Sequence, residues 1–174
     1  LNNNYINCMG VDPAKNINKT HNLPILCDFF NSKLINVLNK HQVDIACFRD
    51  KESSNFEDLA KIFIKICKEY GIKEILLNGD LLLAKKLNAT GIHLTSTKFD
   101  EITKAKDLDL YTIISCHNED DLKNAIKSKA NAITYSPIFE TPNKGEPKGI
   151  EKLKDIVNKY QNKKRQLKKS CLLM

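Results

Sequence analysis

Ala132-Ile133-Thr134-Tyr135-Ser136-Pro137-Ile138-Phe139-Glu140-Thr141-Pro142-Asn143-Lys144-Gly145-Glu146-Pro147-Lys148-Gly149 is the stretch on which the fold turns. Its first four residues are β-prone, and the remainder holds three of the five prolines and two of the six glycines. Proline fixes φ and glycine permits positive φ, so the segment predicts a loop of set shape. Beyond it, Leu153, Ile156, Val157 and Tyr160 share one face of a helix spanning 150–160. Strand, shaped loop and helix make one βα unit, and such units keep functional groups in the loop after the strand. Ser136, Thr141, Asn143, Lys144 and Lys148 supply hydroxyls, an amide and ammonium groups, which suits an anionic ligand such as a phosphate. An ordinary connection is the alternative.

The same unit recurs upstream. Apolar runs predict strands at Pro24–Cys27, Val43–Phe48, Glu74–Asn78, Gly91–Leu94 and Tyr111–Ser115, besides Ala132–Tyr135. Helices fit 32–40, 55–70, 80–88, 99–106 and 118–129 between them. In 55–70, Phe56, Leu59, Ala60, Phe63, Ile66, Cys67 and Tyr70 form one apolar stripe. Ser54 with Glu57 reads as a capping box before it, and Gly71 ends it. Six units in strict alternation predict a parallel sheet flanked by helices, either doubly wound or an incomplete (β/α)₈ barrel.

The 174 residues suit one domain with a real core, and 41% apolar content is ordinary for a globular protein. No run of 18 apolar residues exists, so no membrane span is expected. Six cysteines without CxxC spacing read as buried free thiols of a reduced, cytoplasmic protein rather than a disulfide or zinc framework. From Glu151 onward eight basic residues face two acidic ones, so +6 of the net +7 belongs to the end of the chain. The basicity therefore does not mark the domain as a nucleic-acid binder. Residues 1–22, with seven asparagines and no periodicity, are expected to be poorly ordered, 23–160 to form the domain, and 161–174 a basic tail. The tail closes on Cys171-Leu172-Leu173-Met174, which reads either as a prenylation signal or as a chance match.

Polar residues gather where the predicted strands end. Arg49 and Lys51 straddle one residue, so both point to one face of the pleat and together suit a diphosphate; the alternative is a self-paired surface cluster. Asn78 and Asp80 end the next strand, and Ser115, Cys116 and His117 end a later one. His117 suits a general acid or base, or a helix cap. His93, between Ile92 and Leu94, reads as structural.

With these pieces in order, the chain from about Pro24 to Lys154 resembles the thiamine phosphate synthase / thiazole tautomerase superfamily. The matching pieces are Phe48-Arg49-Asp50-Lys51, Leu76-Leu77-Asn78 and Ala84 through Ala89-Thr90-Gly91-Ile92-His93-Leu94. Ile114-Ser115-Cys116-His117 and Ser136 through Lys144 complete the set. The resemblance implies an α/β fold of the (β/α)₈ TIM-barrel type, incomplete, with about six of eight units. It implies an enzyme of thiamine biosynthesis, a transferase. An aminopyrimidine diphosphate loses its diphosphate and the resulting cation is captured by the nitrogen of a thiazole phosphate. By position, Arg49, Lys51, Asn78, Ser115 and Lys144 would hold the diphosphate, and Thr141 to Asn143 would lie near the thiazole. Small phosphorylated substrates are then the partners, with no nucleic acid or membrane, and self-association into a homo-oligomer is left open.

The resemblance also implies Mg²⁺, but the two expected ligand positions read Gly79 and about Lys98, leaving Asp80 as the nearby carboxylate and Asp100 near Lys98. A lysine cannot ligate Mg²⁺, which takes oxygen donors. The family's glutamine before the arginine is Cys47 or Ala46 here, and a loop threonine is Asn143. Those departures suit the tautomerase branch, in which His117 would move a proton. The family pattern runs on to two further strands with a Gly-Gly turn, whereas nothing after Gly149 contains a glycine. A truncated chain, or a frame shift near 160–163, is therefore expected. A non-catalytic phosphate-binding remnant, or a protein tethered to anionic surfaces by its tail, is the reading from another class.

Overall fold

The computed structural model describes residues 8–11, 23–50, 53–142, 144–166 and 172–173, and side chains within 32–160 of that set. The chain divides into two compact units, one of Leu1–Ile92 with Leu108–Tyr111, the other of His93–Asp107 with Thr112–Met174.

The first unit holds β1 (Cys8–Val11), α1 (Leu23–Lys40), β2 (Ile45–Phe48), α2 (Phe56–Glu69), β3 (Glu74–Asn78) and α3 (Leu81–Lys86). Its strands are parallel, β1 on β2 with Val11 opposite Phe48, and β2 on β3 with Phe48 opposite Leu77. Two expectations are corrected here. A strand forms at 8–11, inside the segment read as poorly ordered. Pro24–Cys27 is helix, not strand, because it opens a longer 3.6-residue pattern in which Leu34 and Leu38 are buried four residues apart. Pro24 sits in the first turn, where its missing N–H costs no hydrogen bond.

The stripe of α2 is buried as its spacing predicts, through Leu59, Ala60, Phe63, Ile64, Ile66 and Cys67. Phe48 of β2 packs on Phe56 and Phe63 with ring centroids 5.1 and 5.4 Å away. Each such large side chain contributes about 1.5–3 kcal/mol by leaving water. Burial pushes the Cys67 thiol up to about 12, so it is a packing group rather than a nucleophile. Gly71 follows with φ +70, the left-handed close expected of it. The expected capping box does not form. The N-cap is Asn55 without a side-chain bond, because Ser53 Oγ accepts from Asn55 N and Asp50 Oδ1 accepts from Ser53 N, which steps the chain into the helix instead.

β4 (Gly91–Leu94) carries the boundary between the units. The second unit continues with α4 (Glu101–Asp107), β5 (Tyr111–Cys116), α5 (Glu119–Lys127), β6 (Ala132–Tyr135), α6 (Gly149–Gln166) and β7 (Leu172–Leu173). β5 and β6 are parallel, with Ile114 opposite Ile133 and Ser115 opposite Thr134, and β7 pairs parallel with β6. The segment read as a basic tail thus carries regular structure: helix extends to Gln166, and Leu172–Leu173 forms a short strand. The prenylation reading falls on Cys171 and Met174, outside the described residues. Among the described residues no helix is long and apolar enough to cross a membrane.

Candidate functional site

The polar groups of the second unit stand on consecutive strands. In β4, β5 and β6, His93, Ser115 and Thr134 are half-buried, flanked on both sides by buried apolar residues. Alternation along each strand puts the flanking Ile92 and Leu94, Ile114 and Cys116, Ile133 and Tyr135 on the opposite face. The three polar side chains are joined. His93 Nε2 lies 3.1 Å from Ser115 Oγ, and Thr134 Oγ1 donates to the same oxygen at 3.4 Å. Sequence reading took Ser115, read His93 as structural and did not single out Thr134. Their shared signal is position, each being third or fifth in a strand and polar between apolar residues.

His117 stands just past β5, one residue before the α5 N-cap. Asn118 Oδ1 accepts from Asp121 N at 2.8 Å, and Asp121 Oδ2 accepts from His117 N at 2.7 Å, a reciprocal cap that fixes the turn. The His117 ring is held as well, with Nδ1 3.0 Å from the Ser136 carbonyl oxygen. A carbonyl only accepts, so Nδ1 carries the proton, and in the neutral ring Nε2 keeps its lone pair. The two readings of His117 are therefore compatible: its backbone serves the cap and its ring presents a base.

The proline-rich loop leaves β6 through Ser136, whose N–H donates to Cys116 O. Its two ends are tied together, since Lys148 N donates to Pro137 O and Gly149 N to Ile138 O. Lys148 Nζ lies 5.4 Å from the Tyr135 ring centroid, so that ammonium supports the loop base. Between the ties the loop lines a cavity of about 740 Å³, to which Lys144 brings an ammonium donor and Glu140 and Glu146 bring carboxylates, while Thr141 Oγ1 donates to Phe139 O at 3.0 Å. The wall is thus mixed in charge, less uniformly suited to an anion than the lysines alone suggest. Asn143 lies outside the described residues, as does Lys51.

In the first unit, Arg49 and Asp50 follow β2 half-buried, and Asn78 closes β3. Gly79 comes next with φ +90, a backbone state that side chains rarely adopt, which gives a physical reason for glycine at this position. Asp80 Oδ1 accepts from Leu83 N at 2.9 Å and caps α3. In the second unit, Lys98 pairs with Glu101 at 2.9 Å. The residues present do not fit a carboxylate-held Mg²⁺: one expected position has no side chain, another is a paired cation, and Asp80 is engaged in a cap. Among the described residues no group of three His, Cys, Asp or Glu side chains is placed to hold a metal.

The sequence model of the thiamine monophosphate synthase family matches residues 20–165. A thiamine-phosphate synthase of Pelagibacter ubique is 35% identical over 119 residues, covering 66% of this chain and 57% of the relative. One of Lactococcus lactis subsp. cremoris is 30% identical over 131 residues, covering 69% and 59%. The chain thus spans less than two thirds of these relatives. Among solved structures, thiamine phosphate pyrophosphorylase from Pyrococcus furiosus superposes with a TM-score of 0.66 at 15% identity, over 88% of this chain and 70% of that one. Tryptophan synthase subunit alpha from Legionella pneumophila gives 0.55 at 12% identity, over 97% and 71%. At such identities the likeness speaks for fold, and it agrees with the expected incomplete α/β barrel type.

Proposed function

The chain belongs to the thiamine monophosphate synthase family, and from that membership we propose that it joins an aminopyrimidine diphosphate to a thiazole phosphate with release of pyrophosphate. The observation that carries the proposal is the hydroxyl–imidazole row of Ser115, His93 and Thr134, followed along the chain by the loop bearing Thr141 and Lys144. The step breaks the bond between the pyrimidine methylene carbon and the diphosphate oxygen. The electron pair leaves with the diphosphate, and the thiazole nitrogen supplies the pair for the new C–N bond. Charge therefore grows on the departing oxygens, and groups already aimed at them lower the barrier. We assign Ser115 O–H and the Lys144 ammonium to that role. Thr141 and Asn143 are assigned to the thiazole partner. In the first unit, Arg49, Lys51 and Asn78 are assigned to the diphosphate.

A second reading rests on one observation, the Nδ1–H of His117 held by the Ser136 carbonyl. That bond leaves Nε2 as a base for moving a proton on a thiazole phosphate, a tautomerase reaction. Complementation separates the two. Expression in a bacterium lacking its thiamine phosphate synthase restores growth without thiamine if the chain joins the two substrates. Failure to restore growth, combined with loss of thiazole tautomerisation in His117→Ala, replaces the first reading by the second. Absence of both activities leaves a phosphate-binding remnant.

A further inference from the structure

Ser115 Oγ is approached by two partners, and their chemistry decides what it can still offer. The hydroxyl has one proton and two lone pairs. Thr134 Oγ1 donates to it from the opposite residue of β6. His93 Nε2, at 3.1 Å, either donates as Nε2–H or accepts the serine proton. In the second case the proton is spent inside the protein and Ser115 has little to give an anion. In the first, both lone pairs are engaged and the proton is left for a ligand.

We propose that His93 is a positioning residue for Ser115: its Nε2–H donates to Oγ and, with Thr134, turns the serine O–H toward a phosphoryl oxygen of a diphosphate ligand. This inference rests on the diphosphate role proposed for Ser115. An anion at the serine selects this arrangement, because a hydrogen bond to a charged acceptor is stronger than one to a neutral imidazole nitrogen. His93 is half-buried on β4, and its ring stands on the face that carries Ser115 and Thr134 on the next two strands.

Titration calorimetry of the 174-residue chain with inorganic pyrophosphate tests this. His93→Phe keeps a ring but removes the donor, and binding should weaken about tenfold. His93→Gln keeps an N–H at similar reach and should restore affinity to within about threefold of the parent protein. The double variant His93→Phe with Ser115→Ala should bind no more weakly than Ser115→Ala alone, since the two act through one hydroxyl. A His93→Phe protein that stays folded and binds pyrophosphate like the parent overturns the positioning role while leaving the diphosphate site standing. So does a double variant whose loss is the sum of the single losses. A parent protein that binds no pyrophosphate overturns both.

Discussion

Gly91 shows how tightly one position can be held by a neighbour's backbone. A Cβ built there would run into the Tyr111 carbonyl oxygen and press on Leu76, and neither the strand nor its carbonyl can withdraw cheaply. Gly91→Ala should therefore cost about 1–3 kcal/mol in urea unfolding; unchanged stability would contradict the close approach. Phe63 makes the complementary case. It is fully buried against Phe48, so Phe63→Ala should cost about 3–5 kcal/mol by the same measurement. For the chemistry, Ser115→Ala should lower turnover about 10²–10³-fold if its O–H meets developing charge. Equal turnover in parent and variant would remove Ser115 from the reaction. The sequence marked Ser115 and His117 through their place at a strand end. It could not mark Thr134 or the His93–Ser115 bond, because pairing between strands depends on register, which local pattern does not contain.

Glu119 ties α5 to α6, accepting from Lys152 at 3.1 Å and Lys159 at 2.9 Å. The Lys159 and Lys152 ammonium groups, bonded to it, hold its carboxyl down to about 2, against an ordinary 4.5. A carboxyl depressed on folding stabilises above its unfolded value, and that stabilisation is lost as pH falls from about 4.5 toward 2. Because the pair is exposed, the effect is small and salt-screened. Glu119→Gln should thus lower Tm slightly at pH 7 in dilute buffer, with the difference vanishing near pH 2 and in high salt. A difference that persists in acid would assign the loss to packing instead. Elements with a clear period were legible: Glu74–Asn78, Gly91–Leu94 and Ala132–Tyr135 match expectation end to end, and α2 shifts by one residue at each end. The helix at 23–40 misled because its first residues form a short apolar run, which looks alike in strand and helix until the full length is counted. Asn55 rather than Ser54 caps α2 because Asp50 and Ser53 set the approach, a choice made by side-chain bonds that spacing does not reveal.

Taken together, strands and helices alternate in both units, all of the strand pairs described within them are parallel, and the chain superposes on 70% of a solved thiamine phosphate pyrophosphorylase. Family membership was legible because short motifs kept their order over some 130 residues of chain. The metal site shows the limit of carrying a family's properties across. Gly79 stands at φ +90, where restoring a side chain as Gly79→Asp would itself add strain, so a single substitution should not rebuild a carboxylate site. The decisive test is pyrophosphate release by the 174-residue chain supplied with aminopyrimidine diphosphate and thiazole phosphate in Mg²⁺-containing buffer. The synthase assignment predicts release that requires both substrates and tracks formation of thiamine phosphate; no release above either substrate alone would contradict it.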